Sequence, residues 1–177
     1  MVIIEFGCGN SKHPDAIGVD SNPRTQADII HNMDMFPYPF EDDYADRIIC
    51  HNVLEHVDDF IRVMEEIWRI GKPGCHIELS GPFMSSVNYF SDPTHRRAFT
   101  SRSFDYFIKD TDASRYAYSE SEFEMISVVY DPDQLKVRRG INLWPLKWAN
   151  KNKVQYENRY AFLYPVYQIH FELRVRK

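Results

Sequence analysis

A chain of 177 residues, 44% of them apolar or aromatic, is long enough for one domain with a single sizeable core and short for two. No apolar run reaches the roughly eighteen residues of a membrane-spanning helix, and the opening MVIIEFG lacks the basic stretch and cleavage site of a secretory signal. The net charge of −5 hides an asymmetry: residues 1 to 135 carry 11 Lys and Arg against 24 Asp and Glu, whereas residues 136 to 177 carry 10 against 2. Such a basic quarter suits either a solvated face or a surface that meets an anionic substrate or membrane headgroups.

The three cysteines, Cys8, Cys50 and Cys75, are odd in number and far apart, without a CxxC pair. They point to a reduced, cytoplasmic setting. Cys50 and Cys75 fall in apolar runs and read as core, which leaves Cys8 as the one placed where a ligand could come.

Along the chain, Val2 to Phe6 is a continuous apolar run ended by Gly7, the pattern of a buried parallel strand. Ala16 to Val19, ending at Asp20, Ala27 to Ile30, leading to Asp34, and Arg47 to Cys50, leading to His51 and Asn52, repeat it. From Val57 to Ile70 the period changes: Val57, Phe60, Ile61, Met64, Ile67 and Trp68 share one helical face and charged residues cover the other. Gly71 and Pro73 stop this helix, and Cys75 to Leu79 is the next strand, closed by Gly81 and Pro82. The strand, helix and strand form a βαβ unit.

After Pro82 the pattern loosens. Met84 to Arg97 reads as a loop, Thr100 as the cap of a short helix carrying Phe104, Phe107 and Ile108, and Phe123 to Tyr130 as a strand. Residues 132 to 165 mix Trp144, Trp148, Tyr156, Tyr160, Phe162 and Tyr164 with basic residues, and Ile169 to Val175 alternates as a last strand. The expected architecture is α/β: one Rossmann-like domain over 1–177, with a cofactor-binding half (1–83), a substrate-facing half (84–177), and a mostly parallel seven-stranded sheet with an antiparallel last strand. Only six residues separate Gly9 from Ala16, against roughly a dozen for an ordinary parallel crossover. The first crossover helix is therefore expected to be reduced to a turn or two at most.

Each early strand ends on a polar residue at the edge where open α/β sheets bind ligands. Asp20 is placed to accept hydrogen bonds from vicinal ribose hydroxyls, and Asp34 to accept from an adenine amine, with the Met35 N–H and side chain against the ring. The GxG of Gly7 and Gly9 lets the backbone turn sharply and approach a ligand.

The order IIEFGCGN, GVDSN, NMDMFPYPFEDDYADRIICHNVLEH and GKPGCHIELSGP resembles the class I S-adenosylmethionine-dependent methyltransferases over roughly residues 2 to 83. It is most similar to a compact branch in which a GCGN loop runs almost directly into a VD strand end. DPTHRRAFT and the closing YPVYQIHFELRVRK resemble that branch too. The resemblance implies that Gly7 and Gly9 wrap the methionine part of S-adenosylmethionine with Glu5 supporting the loop. Asp20 would then bind the ribose, Asp34 and Met35 the adenine, and Asn52 would lie near the transferred methyl; Ser11 replaces the third glycine.

Because the sulfonium donor is already activated, the resemblance implies a protein that aligns a nucleophile, most simply a hydroxyl oxygen of a small-molecule or glycan-type acceptor, without a metal. His95 in SDPTHRRAF and His56 after the fourth strand are the candidate bases. His13, His31, His51, His76 and His170 have no spacing that suggests a shared metal site. Arg96, Arg97, Arg138 and Arg139 suit a phosphate or carboxylate on the substrate, while Trp144 and Trp148 with Ile141 and Leu143 suit a membrane surface through 136–165. Two other classes stay open: a relative that binds the cofactor without chemistry, and a nucleic-acid methyltransferase. Against the latter, Asn52 is followed by VLE and not by the proline and aromatic residue of a site that stacks a flipped base.

Overall fold

The computed structural model of the chain describes residues 1–133 and 143–177. Strands β1 (Ile3–Phe6), β2 (Ala16–Asp20), β3 (Ile29–Ile30), β4 (Ala45–His51), β5 (Gly71–Pro82), β6 (Glu122–Tyr130) and β7 (Gln168–Arg176) form one seven-stranded sheet. Their order is β3-β2-β1-β4-β5-β7-β6. The first five pair in parallel, and β7 runs antiparallel to both β5 and β6. Strands from both halves of the chain thus share one sheet.

The 11-residue helix α1 (Phe60–Ile70) starts where the Asp59 side chain accepts the Arg62 N–H, and ends where Gly71 returns its own N–H to the Ile67 carbonyl. Its buried face of Val63, Met64, Ile67 and Ile70 packs on the sheet side that carries Ile4, Phe6, Ile48, Cys50, Ile77 and Leu79. Val57 belongs to the preceding loop, and β5 begins at Gly71 itself, four residues earlier than the Cys75 of the sequence reading. A register shift between Ala45 and Arg47 lets Gly71 pair with Ala45 despite Pro73.

The first crossover holds no helix at all, in line with its length. The next two, residues 21–28 and 31–44, lack one as well; the second is as short as the first, whereas the length of the third did not announce it. One face of the sheet therefore keeps only a small apolar cluster of Ile3, Ala16 and Ile49. Around it charged side chains satisfy one another: Arg47 donates two hydrogen bonds of 2.8 Å to Glu78, and His76 lies 3.3 Å from Glu78 and 3.8 Å from Glu172. That face is polar because no crossover covers it.

Beyond β5, residues 84–97 include a short helix, α2 (Val87–Ser91), within the expected loop. The helix expected after Thr100 shrinks to a 3-10 turn, Asp105–Phe107, although the Thr100 hydroxyl does accept the Arg102 N–H. Phe104 and Phe107 still reach the core. The aromatic segment forms α3 (Trp144–Lys151) and α4 (Lys153–Arg159), and Ala149 and Tyr156 pack into the same core as Phe83 and Tyr130.

Candidate cofactor and active site

The sheet order reverses at β1, so the chain leaving β1 and the chain leaving β4 diverge and open a crevice between them. A cleft of about 450 Å³ occupies it, lined by Gly7, Asp20, Asp34, Asn52, His56 and Arg96 together with Val19, Ser21, His31, Asn32, Met33, Val53, Val57 and Asp58. Its size suits a ligand of a few hundred daltons.

Gly7 has φ +66°, and a Cβ there would stand 2.7 Å from the Val53 side chain, so only glycine lets the end of β1 pass the loop after β4. Its N–H holds the Val19 carbonyl at 2.8 Å. Gly9, at φ +53°, has nothing within 4 Å of the position a Cβ would take. Asp20 Oδ2 accepts the Gly9 N–H at 2.9 Å and Oδ1 the Asn22 N–H at 2.8 Å. Each oxygen keeps a further acceptor site, which fits a vicinal diol. Glu5 stands apart from the cleft lining and accepts the His13 N–H at 2.6 Å, a loop anchor on the uncovered face.

Asp34 Oδ1 receives the N–H groups of Asp58 (2.8 Å) and Asp59 (3.2 Å), tying the end of the third strand to the entry of α1. The expected Met35 contact is corrected: its N–H already goes to the Asn32 carbonyl at 2.9 Å, and its side chain is 62% exposed outside the lining. Met33, buried, and His31, which donates from Nε2 to the Met35 carbonyl at 2.8 Å, line the cleft in its place. Asn52 sits at φ +52°, a conformation asparagine tolerates, with Gln168 Nε2 donating to its Oδ1 at 2.9 Å. Cys8, read as ligand-accessible, is buried, and its thiol pKa is pushed up by burial and by the carboxylates of Asp20 and Glu5.

A second group of polar residues borders the cleft. His56 Nδ1 lies 2.9 Å from Thr94 Oγ1, whose own hydroxyl donates to Asp92 at 2.6 Å. Burial, then the neighbouring His95, lowers the His56 pKa, which favours the neutral ring. His95 lies behind it, with ring centroids 4.7 Å apart, outside the cleft lining. Glu55, which the sequence reading passed over, is 1% exposed. Its pKa is pushed up to about 7 by burial, against the pull of His95 and Arg97. Arg96 is exposed and pairs with Asp58 at 2.6 Å. Arg97 turns inward and donates to the carbonyls of Leu54, Val57 and Asp58, so its guanidinium holds the cleft wall and does not reach into the cleft. Arg138, Arg139 and Ile141 lie outside the described residues; Trp144 is exposed, and Trp148 packs edge-on against Tyr160.

A family model described as a methyltransferase domain matches residues 4–79, the segment that supplies the cleft lining except Arg96. Solved structures share the fold across nearly the whole chain. A methyltransferase from Archaeoglobus fulgidus superposes with a TM-score of 0.58 at 16% identity, covering 97% of this chain and 85% of the other. One from Mesorhizobium loti gives 0.58 at 13% identity, covering 98% and 90%. Residues 4–79 thus match a methyltransferase domain, and the fold of the whole chain is that of S-adenosylmethionine-dependent methyltransferases. A plantazolicin methyltransferase in complex with S-adenosylhomocysteine and a substrate analogue is another structural neighbour of this methyltransferase, with a TM-score of 0.58 at 15% identity, covering 100% and 77%. No curated protein matches the sequence. S-adenosylmethionine is the methyltransferase's cofactor, and the open side of Gly9 and the spare acceptor sites of Asp20 fit it.

Proposed function

We propose that this methyltransferase transfers the methyl group of S-adenosylmethionine to a hydroxyl oxygen of a small-molecule or glycan-type acceptor. The observation that carries the reading is His56 on the cleft wall, with Nδ1 against the Thr94 hydroxyl. Because the Thr94 hydroxyl gives its hydrogen to Asp92, His56 must donate from Nδ1, and Nε2 keeps a free lone pair. An acceptor hydroxyl bound beside Asn52 can pass its proton to that nitrogen as the oxygen attacks.

When bound, the cofactor supplies a methyl group already activated on a sulfonium. Asp20 and the Gly7–Gly9 turn hold the donor, Asn52 lies at the end of β4 beside the reacting region, and Arg96 at the mouth meets an anionic group of the acceptor if Asp58 releases it. Asp20, Asp34 and Asp58 give the lining an acidic character, which opposes a nucleic-acid phosphodiester. A cytoplasmic setting is part of this reading and is supported by three buried free cysteines. Among the described residues no helix is long and apolar enough to cross a membrane.

The test is calorimetric titration with S-adenosylmethionine and S-adenosylhomocysteine, followed by a screen of hydroxylated acceptors for S-adenosylhomocysteine release. Binding of both with acceptor-dependent release that His56→Gln abolishes supports the reading. Binding without release from any acceptor favours the relative that does no chemistry, and binding of neither overturns both.

A further inference from the structure

Glu55, His56 and His95 each offer one ligand atom, and the three atoms lie within 4.8 Å of one another. Three features make this more than a chance cluster. His56 is held by Thr94 through Nδ1, and His95 Nδ1 faces the Tyr89 carbonyl at 3.1 Å, which can only accept, so His95 also donates there. Both rings are therefore held with Nδ1 as a donor, which leaves Nε2 as the nitrogen available to a metal. That is the arrangement in which histidines ligate a metal while a hydroxyl or carbonyl behind them fixes the tautomer.

Glu55, the third member, is 1% exposed, and its Oε2 has no hydrogen-bond partner while Oε1 stands 3.9 Å from His95 Nε2. A buried carboxylate oxygen without a donor is costly.

We propose that Glu55, His56 and His95 bind a divalent transition-metal ion at the edge of the cofactor cleft. Two imidazoles and one carboxylate suit the borderline ions Zn²⁺, Co²⁺, Mn²⁺ or Fe²⁺ over Mg²⁺ or Ca²⁺. Ligand separations of up to 4.8 Å contract as the side chains close on metal bonds of about 2.0–2.2 Å. Three protein ligands leave open positions, and His56 lines the cleft, so those positions face the acceptor. With the ion bound, His56 Nε2 serves as its ligand in place of acting as the base, and the ion would bind an acceptor hydroxyl and make its proton easier to lose to water. That role rests on the proposed methyl transfer; binding of the ion does not.

The experiment titrates chelator-stripped protein with Co²⁺ alone, read by its d–d absorption, and with Zn²⁺ alone by calorimetry, both without cofactor or acceptor. One equivalent at micromolar affinity or tighter is expected, weakened at least roughly tenfold in His95→Gln and in Glu55→Gln. Far-UV circular dichroism and S-adenosylmethionine binding check that each variant is folded. Should Glu55→Gln fail to fold, His95→Gln and Thr94→Val carry the test, the latter because it frees the His56 tautomer. No Co²⁺ spectrum up to millimolar metal overturns the proposal. So does binding that persists unchanged in these variants, which would place the ion elsewhere, for instance at His76 and Glu172. A protein that binds the ion but methylates no acceptor would sink the proposed function and leave the metal site standing.

Discussion

The Gly9 N–H donates to Asp20 Oδ2 at 2.9 Å, so the glycine turn after β1 and the carboxylate that ends β2 are one unit. Asp20 has two tasks: it fixes the turn, and it presents the remaining acceptor sites to a ribose. Asp20→Ala should weaken S-adenosylmethionine binding by about 1–3 kcal/mol, since charge-assisted hydrogen bonds are lost on both sides. Asp20→Asn keeps an acceptor and should lose less. Calorimetry on the two variants decides this, and equal losses would mean that the charge has no part in it.

Gly7 and Gly9 share a left-handed backbone and differ in what surrounds them. Alanine at either costs about 1–2 kcal/mol for the backbone alone. At position 7 the new Cβ would also press on Val53 at 2.7 Å, so Gly7→Ala should be the more destabilised in urea. Gly9→Ala has room in the free protein, and its excess loss should appear as reduced affinity for S-adenosylmethionine. The reverse pattern would put the cofactor on the other side of the turn.

Arg96 and Arg97 are adjacent and opposite in role. Removing the Arg97 guanidinium leaves the Leu54 and Val57 carbonyls without their donor, so Arg97→Met should cost about 1–3 kcal/mol of stability. It should also weaken cofactor binding, because residues 54–58 form the cleft wall. Arg96→Met should leave the urea midpoint unchanged and, with an anionic acceptor, raise KM. A stable Arg97→Met with a raised acceptor KM would restore it as a substrate ligand.

Much of this was legible in the sequence, for local reasons. Strand cores were visible as apolar runs, and Asp20, Asp34, Asn52 and His56 could be placed because the ends of parallel strands and the loops that leave them border the crevice. Arg96 reached the lining too, on its position in the loop after β5. The loss of the first crossover helix followed from counting six residues. Loss of the second could have been counted the same way over residues 21–28, but loss of the third could not, because residues 31–44 are long enough for a helix and only Pro37 and Pro39 with the absence of an apolar period argued against it. Glu55 escaped for a different reason. In VLEHV it reads as the polar member of an amphipathic entry to α1, and only the fold brings His95, 40 residues away, to within 3.9 Å of it. Arg97 was misjudged on type: an arginine beside a binding loop can serve the loop's carbonyls as well as a ligand.

The helix-free crossovers are held partly by carboxylates, which sets an acid limit. Asp28 accepts from Lys12 Nζ at 2.7 Å and from the Gly18 N–H at 2.8 Å, and these contacts hold its pKa below the ordinary value. Lys72 and the Val2 N–H do the same for Asp46. A carboxyl whose pKa is lowered on folding binds its proton less readily in the folded chain than in the unfolded one. Its contribution is complete above the unfolded value of 3.8 and disappears as pH falls through the lower folded value. Urea midpoints should therefore hold level from neutrality toward pH 4 as far as these two groups are concerned, then fall steeply below it. In Asp28→Asn the midpoint should be lower at neutral pH and fall less steeply below about pH 4, because one of the titrating groups is gone. A variant that tracks the parent protein in slope down to pH 2 would show that Lys12 and Gly18 do not depend on Asp28, and that something else holds the short crossover over β2.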